Sequence, residues 1–148
     1  MSVSSVTDAL ATLEKTITGV KAAYSLNEIP QRLNASALPA FINWPGPATY
    51  EPMAGVATET RRYRCILYID PLQSPAEMRY KGANAEPLLA GVRMGMLGAP
   101  GLESTASVFT ARLVGDSGLV AIEDYGGVYL GVEFTVEVKE VLNVTYTD

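Results

Sequence analysis

Residues 128–139 read Val-Tyr-Leu-Gly-Val-Glu-Phe-Thr-Val-Glu-Val-Lys, an alternation of apolar and other side chains that runs without a break. Successive side chains of a β-strand point to opposite faces, so this pattern places one apolar set against a core. That set is Val128, Leu130, Val132, Phe134, Val136 and Val138. The stretch therefore predicts a long strand with one buried face, while its other face must be solvated or paired with another surface.

Strand patterns continue outward from this stretch. Thr58–Asp70 also alternates and predicts a second long strand, with Arg62 and Arg64 on its polar face. Shorter strands are predicted at Ala106–Val114 and Leu119–Glu123, because glycine-containing turns bound both runs. These strands suit a mainly antiparallel sheet.

Two segments carry helical signals. Val3–Tyr24 has apolar residues at alternating steps of four and three, which form one stripe of a helix. Ser74–Glu77 matches a capping box with proline at the first helical position. We expect the helix that follows to be interrupted near Gly82 and to resume over Ala85–Leu97. Both helices would pack on one face of the sheet, which makes an α+β two-layer sandwich.

The segment 27–57 is rich in proline and predicts extended pieces joined by turns. Ala37–Trp44 could hold a short strand, with Trp44–Pro47 as its turn. Trp44 and Tyr50 would then lie on a loop, where they either pack back on their own domain or supply contact surface to a partner. The whole chain, 1–148, has the length of a single domain.

Composition limits the chemistry that the chain can perform. Histidine is absent, so triads that depend on an imidazole base and ordinary zinc sites are excluded. The single cysteine, Cys65, lies in a strand pattern and is expected to be a buried, inert thiol. No apolar run reaches the length of about 18 residues that crosses a bilayer, and we expect a soluble protein made in the cytoplasm. We predict no catalytic residues, no cofactor and no metal.

Charge is unevenly distributed along the chain. Its net charge is −5, and from Leu113 onward seven acids face one base, Lys139. A tight nucleic-acid binder needs a clustered basic face, so DNA binding is disfavoured. DNA that passes an acidic wall without specific binding remains compatible with this pattern.

Three features occur in a recognisable order: an amphipathic helix that ends near Asn27–Pro30, the Ala-Leu-Pro-Ala stretch Ala37–Ala40, and the closing strand Tyr125–Val138. In this arrangement the chain resembles the tail terminator, or tail completion, proteins of long-tailed bacteriophages and the neck proteins related to them. The resemblance implies a virion protein, assembled in the host cytoplasm, that forms a ring of typically six copies. Such a ring caps the tail tube protein, joins the tail to the neck or head-closure protein, and leaves a channel for DNA.

Four charged residues are candidates for the channel or the subunit interface: Glu133 and Glu137 on the closing strand, and Arg62 and Arg64 on the earlier one. The alternative for the same residues is a set of ordinary cross-strand ion pairs. Two other functions stay open. One is a head-closure, connector or tube-like neck subunit. The other is a small-molecule-binding, isomerase-like domain in which Asp124 and Tyr125 act as acid and base.

Overall fold

The protein is a two-layer α+β sandwich, as the sequence predicts. A computed structural model describes residues 3–104 and 108–143. Within these residues lie two α-helices and six strands of one mixed sheet. Their bounds, in chain order, are α1 (Val3–Lys15), β1 (Ala22–Tyr24), β2 (Ala40–Met53), β3 (Val56–Leu72), α2 (Pro75–Met96), β4 (Val108–Asp116), β5 (Val120–Asp124) and β6 (Gly127–Asn143). Short 3₁₀ helices lie at Leu26–Glu28, Ala35–Ala37 and Ala99–Ser104.

The sheet is organised around β6, the strand that contains residues 128–139. Its order is β1-β2-β3-β6-β4, and β5 also pairs with β6. Only β1 and β2 run parallel among these described pairs. On the edge opposite β3, β5 pairs with residues 127–131 of β6 and β4 with residues 134–140. The four strands β2, β3, β6 and β4 therefore form a broad surface behind the helices.

One face of this sheet is buried under both helices. The alternating apolar side chains of β6 and β3 pack there against α1 and α2. Side chains with no solvent exposure include Val6, Leu10, Tyr63, Cys65, Leu67, Leu89, Val92, Met96, Val132, Phe134 and Val136. Burying each large apolar side chain stabilises the fold by about 1.5–3 kcal/mol. The prediction that β6 has one buried face is thus confirmed.

The opposite face is covered at one end by the chain itself. Segment 25–39 lies over a smaller apolar cluster that contains Leu33, Leu38, Ala40, Ile42, Tyr68 and Tyr129. The Tyr125 hydroxyl donates a 3.0 Å hydrogen bond to the carbonyl of Pro30 and so fastens the segment to the β5–β6 turn. The ring of Tyr68 meets that of Tyr129 edge to face at 5.6 Å. Both faces of the sheet are therefore closed at this end.

The first helix is shorter than the sequence predicts. The predicted helix over Val3–Tyr24 ends at Lys15, and Ala22–Tyr24 is strand β1. Thr16, Ile17 and Thr18 are β-branched and favour helix weakly, and Gly19 then adopts a φ of 94°, outside the helical region. Ile17 is still buried in the core, which explains why the apolar stripe extends past the end of the helix.

The predicted interruption of the second helix near Gly82 is absent, because α2 is continuous from Pro75 to Met96. Gly82 and the internal Pro87 cost about 1 and 3 kcal/mol of helix propensity, and tertiary packing of the buried side outweighs them. The predicted capping box is also altered. The Ser74 side chain makes no cap hydrogen bond, and Glu77 instead accepts one of 2.8 Å from the backbone N–H of Gln73.

The prediction of a turn at Trp44–Pro47 is wrong. Strand β2 continues to Met53 with an irregularity between Pro45 and Ala48, and the turn to β3 comes at residues 54–55. A bulge on a strand that is largely at the sheet edge tolerates proline, because no ladder hydrogen bond is required there. Gly46 is needed in this bulge, since a Cβ would lie 2.3 Å from the carbonyl oxygen of Arg62. The start of the predicted strand Ala106–Val114 lies outside the described residues.

Candidate functional site: the open face of the sheet

Beyond segment 25–39, the sheet face that points away from the helices has no cover among the described residues. We call this region the open face. It consists of Trp44 from β2, Arg62 and Arg64 from β3, Arg112 from β4, and Glu133 and Glu137 from β6. Four of the strands thus contribute side chains to one surface.

Glu137 links three strands at the centre of the open face. It lies opposite Arg62 of β3 and Arg112 of β4 in the strand registers. Its Oε2 is 3.5 Å from Arg62 Nε, and its Oε1 is 3.3 Å from Arg112 Nη2. The Glu137 side chain is 11% exposed, whereas those of Arg62 and Arg112 are 61% and 69% exposed. The carboxylate therefore lies under two guanidinium groups that keep free donors toward solvent.

A second ion pair lies beside the first. Arg64 Nε donates to Glu133 Oε1 across β3 and β6. Trp44 is directly opposite Arg64 in the pairing of β2 with β3, and its indole is exposed. Tryptophan and arginine are among the residues that contribute most to binding at protein interfaces, and here they lie exposed side by side.

The structure brings Arg62, Arg64, Glu133 and Glu137 together as cross-strand ion pairs, one of the two interpretations that the sequence left open. Each exposed pair stabilises the fold by about 0.2–1 kcal/mol. Because three arginines surround two glutamates, the open face carries a surplus of positive charge. These two acids therefore do not form an acidic wall.

Tyr50 is not part of the open face, although the sequence grouped it with Trp44. The bulge at residues 46–47 adds one residue to β2 relative to β3 and so reverses the alternation of faces. Tyr50 consequently lies opposite Glu59 on the helix side of the sheet, where its hydroxyl accepts a 3.3 Å hydrogen bond from Arg61. No sequence pattern indicated this reversal: Trp44 and Tyr50 are six residues apart, an even spacing that in a regular strand places both side chains on one face.

The proposed acid and base, Asp124 and Tyr125, serve structural contacts. Asp124 Oδ2 accepts a 2.8 Å hydrogen bond from the hydroxyl of Tyr68, and Tyr125 holds Pro30. Burial, followed by the bond to Asp124, raises the pKa of Tyr68, so this phenol stays protonated. The nearby crevice of about 290 Å³ is lined by Leu72, Gln73, Ser74, Met78, Ala121, Glu123 and Val128, without Asp124 or Tyr125. An open depression beside this crevice does include Asp124, together with Glu123, Gly126, Gly127 and Val128, but the Asp124 carboxylate already accepts the hydrogen bond from Tyr68.

A buried polar cluster on the helix side escaped the sequence analysis. Glu14 of α1 is fully buried, and its Oε1 accepts a 2.6 Å hydrogen bond from the side-chain amide of Asn43. Burial raises the pKa of Glu14 to about 8, against the opposing effect of hydrogen bonds from Asn43 and Cys65. Cys65 is buried, as expected, and its burial and the neighbouring Glu14 also raise the pKa of its thiol. The available signal was Glu14 itself, an acid four residues after Leu10 on the apolar stripe.

Comparison with known protein families and curated proteins identified no related protein. No known family model matches the chain, and no curated protein is significantly similar to it in sequence. Among residues 3–104 and 108–143, no group of three or more acidic or thiol side chains is placed to hold a metal ion. None of the described helices has the length and apolar character needed to cross a membrane.

Proposed function

We propose that the chain is a non-enzymatic structural subunit that assembles with copies of itself into a ring at the head-proximal end of a phage tail. In that position it would cap the tail tube and join it to the neck. The α+β sandwich is compatible with this role, and the resemblance to tail terminator proteins supplies the biological setting. The observation that carries the proposal is the open face.

The open face contrasts with the rest of the sheet. At one end, segment 25–39 covers the same face with apolar side chains. At the other end, Trp44 and the arginines stay exposed on paired strands, whose backbone positions the sheet fixes. A backbone that is already ordered loses little conformational entropy on binding, so a surface carried by paired strands favours association.

Charge favours another copy as the partner. The whole chain has a net charge of −5, yet the open face is positive, so the remaining surface is more acidic than the average. Glu123 and Asp124 are exposed on β5. A contact between different patches of identical subunits is heterologous, and such contacts close into rings when the rotation allows it. Complementary charge would guide that contact.

Electron microscopy with light scattering tests the proposal. We expect rings with a central hole and a mass near six times 15.8 kDa, either in solution or on added tail tubes. Neutralising Arg62 and Arg112 together, as Arg62→Gln/Arg112→Gln, should prevent ring formation while urea unfolding shows that the monomer stays folded. The matched control is Lys21→Gln/Arg32→Gln, which removes two exposed positive charges away from the open face.

A wild-type protein that stays monomeric both alone and with tail tubes would refute the ring. Equal ring formation by both double variants would remove the open face from the interface. Attachment to purified heads rather than to tubes would favour the head-closure alternative.

A further inference from the structure

Helix α2 has two apolar sides. One side packs into the core through Ala85, Leu89, Val92 and Met96. The opposite side carries a second apolar series that we call the outer seam: Ala76, Tyr80, Ala83, Pro87, Ala90 and Met94, followed by Leu97 at the helix end. All seven residues are exposed, and Tyr80, Met94 and Leu97 are 67%, 71% and 56% exposed.

The spacing of the outer seam is that of a helix interface. Its residues recur at alternating steps of four and three, the heptad pattern with which one helix packs along another. Single exposed apolar residues are ordinary, but an aligned series along a 22-residue helix leaves a continuous strip in water. A helix that is apolar on two opposite sides is normally buried on both.

Residue size within the outer seam selects an antiparallel partner. One heptad position holds the bulky residues Tyr80, Pro87 and Met94, and the other holds Ala76, Ala83 and Ala90. In an antiparallel pair of identical helices the two kinds of position face each other, so bulky side chains meet alanines along the middle of the seam. In a parallel pair bulky residues would meet their own copies and alanines theirs, which leaves gaps between the helices.

Charge beside the outer seam selects the register. Glu86 Oε1 accepts a 2.7 Å hydrogen bond from Arg93 along one edge of the seam. One antiparallel register sets Glu86 against the partner's Arg93 and the reverse, so the two ion pairs form a square of alternating charges. In that register Ala83 faces the partner's Met94. A shift by one heptad sets Glu86 against the partner's Glu86 or, in the other direction, Arg93 against the partner's Arg93, and both contacts are repulsive.

A shift by two heptads restores attraction, between Arg79 and the partner's Glu86. It shortens the overlap of the seam, however, because the helices then meet only over Ala76–Pro87. The first register keeps Tyr80–Leu97 in contact along about 27 Å of helix. Shape and charge therefore agree on one arrangement.

From this agreement we infer that a second copy of the chain docks antiparallel along the outer seam of α2, with Glu86 paired to the partner's Arg93. The contact has two-fold symmetry and is independent of the proposed ring: it makes a dimer of free subunits or joins two rings face to face. One helix pair is smaller than a standard interface, so we expect association that depends on protein concentration.

Disulfide trapping tests the register. In the Ala83→Cys/Met94→Cys variant, the thiol introduced at position 83 of one copy lies next to the thiol introduced at position 94 of the other copy. Within one copy they are separated by about 16 Å along the same helix, too far for a disulfide. Oxidation should give a covalent dimer with the double variant and none with either single variant or the wild type, whose Cys65 is buried. No dimer from the folded double variant, or equal crosslinking by a single variant, would overturn the inference.

A charge swap provides an independent readout by sedimentation equilibrium. Arg93→Glu should weaken dimerisation at least tenfold, and Glu86→Arg/Arg93→Glu should restore it. Arg79→Glu is the matched control: it makes the same change of charge on the same edge of the helix but has no charged partner in this register. Equal weakening by Arg79→Glu, or failure of the swap to restore the dimer, would contradict the proposed arrangement.

Discussion

The side-chain amide of Asn43 donates a 2.6 Å hydrogen bond to Glu14, an acid with no solvent exposure. The bond joins helix α1 to strand β2 inside the core, and the amide also donates to the carbonyl of Tyr24 at 3.0 Å. Glu14 Oε2 has no hydrogen-bond partner within the part of the chain that the structure describes. An ionised carboxylate at this position would be strongly destabilised, so the acid is held in its neutral form.

This neutral acid makes stability depend on pH. The pKa of Glu14 is about 8 in the folded protein against 4.5 for an exposed glutamate. The stability that the protonated Glu14 contributes is therefore fully present below pH 4.5, falls as the pH rises above 4.5, and is lost once the pH has passed through 8. Glu14→Gln should abolish that component, so the difference in unfolding free energy between variant and wild type should change by a few kcal/mol between pH 5 and 8. Urea unfolding at several pH values measures it.

The control for this experiment is Glu51→Gln, which removes an exposed acid and should leave the pH dependence unchanged. A Glu14→Gln variant with the slope of the wild type would show that Glu14 is not protonated in the folded state.

Replacing Asn43 alone is predicted to cost more stability than replacing Asn43 and Glu14 together. Asn43→Leu removes the amide donor of the buried Glu14 and should destabilise the fold by about 1–3 kcal/mol. Glu14→Leu/Asn43→Leu removes both polar groups, so it should be more stable than Asn43→Leu alone. Equilibrium unfolding of the two variants decides the order. A double variant less stable than the single one would mean that packing, rather than the unpaired acid, dominates this position.

Gly131 is predicted to resist substitution because the backbones of two strands meet there. An added Cβ would lie 2.4 Å from the carbonyl oxygen of Leu67 and 2.4 Å from Ile122 Cδ1. Gly131→Ala should lower the unfolding free energy by about 1–3 kcal/mol, the range of overpacked cores. Gly115→Ala is the control, since no atom of the described residues lies within 4 Å of its Cβ position. Thermal unfolding of both variants should separate them, and equal losses would refute the steric argument.

The ion pairs of Glu137 should contribute to stability in a manner that depends on salt. Glu137→Gln removes the carboxylate shared by Arg62 and Arg112 and should cost about 0.5–1.5 kcal/mol at low ionic strength. Screening at 1 M NaCl should reduce this loss by more than half. Urea unfolding at both salt concentrations is the measurement. A loss that does not change with salt would indicate that packing under the arginines matters more than charge.

The hydroxyl of Tyr125 should control the local opening of segment 25–39. Tyr125→Phe deletes its hydrogen bond to Pro30 and should accelerate tryptic cleavage at the exposed Arg32 several-fold, because local unfolding becomes easier by about 1 kcal/mol. Tyr80→Phe, which alters an exposed phenol on α2, should leave the cleavage rate unchanged. Identical rates in both variants would show that the apolar cluster alone holds the segment.

Much of this fold follows from periodicity. The alternation in residues 128–139 and in Thr58–Asp70 located the two central strands, because a sheet with one buried face imposes a two-residue period. Helix ends and breaks were less predictable. Gly82 lies inside a continuous α2, because contacts distant in sequence stabilise a helix that local propensity disfavours.

The open face was only partly predictable. Arg62, Arg64, Glu133 and Glu137 could be assigned to polar faces from their parity, but their pairing required the register between β3 and β6. Arg112 was missed because the register of β4 with β6 is set by two irregularities that no sequence pattern reveals. Tyr50 and Trp44 lie on opposite faces for a similar reason: the bulge at residues 46–47 reverses the alternation of faces, and no sequence pattern marks it.

The position of β6 also constrains when the protein can fold during synthesis. Strand β3 pairs with one edge of β6, and β4 and β5 pair with its other edge. All three pairings therefore wait for β6, which follows these strands in the chain. Until the ribosome has released these late residues, the earlier strands expose unpaired edges to solvent. The sheet is therefore completed only after β6 has been translated, and the edge of β3 that β6 later covers stays open to other chains during that interval.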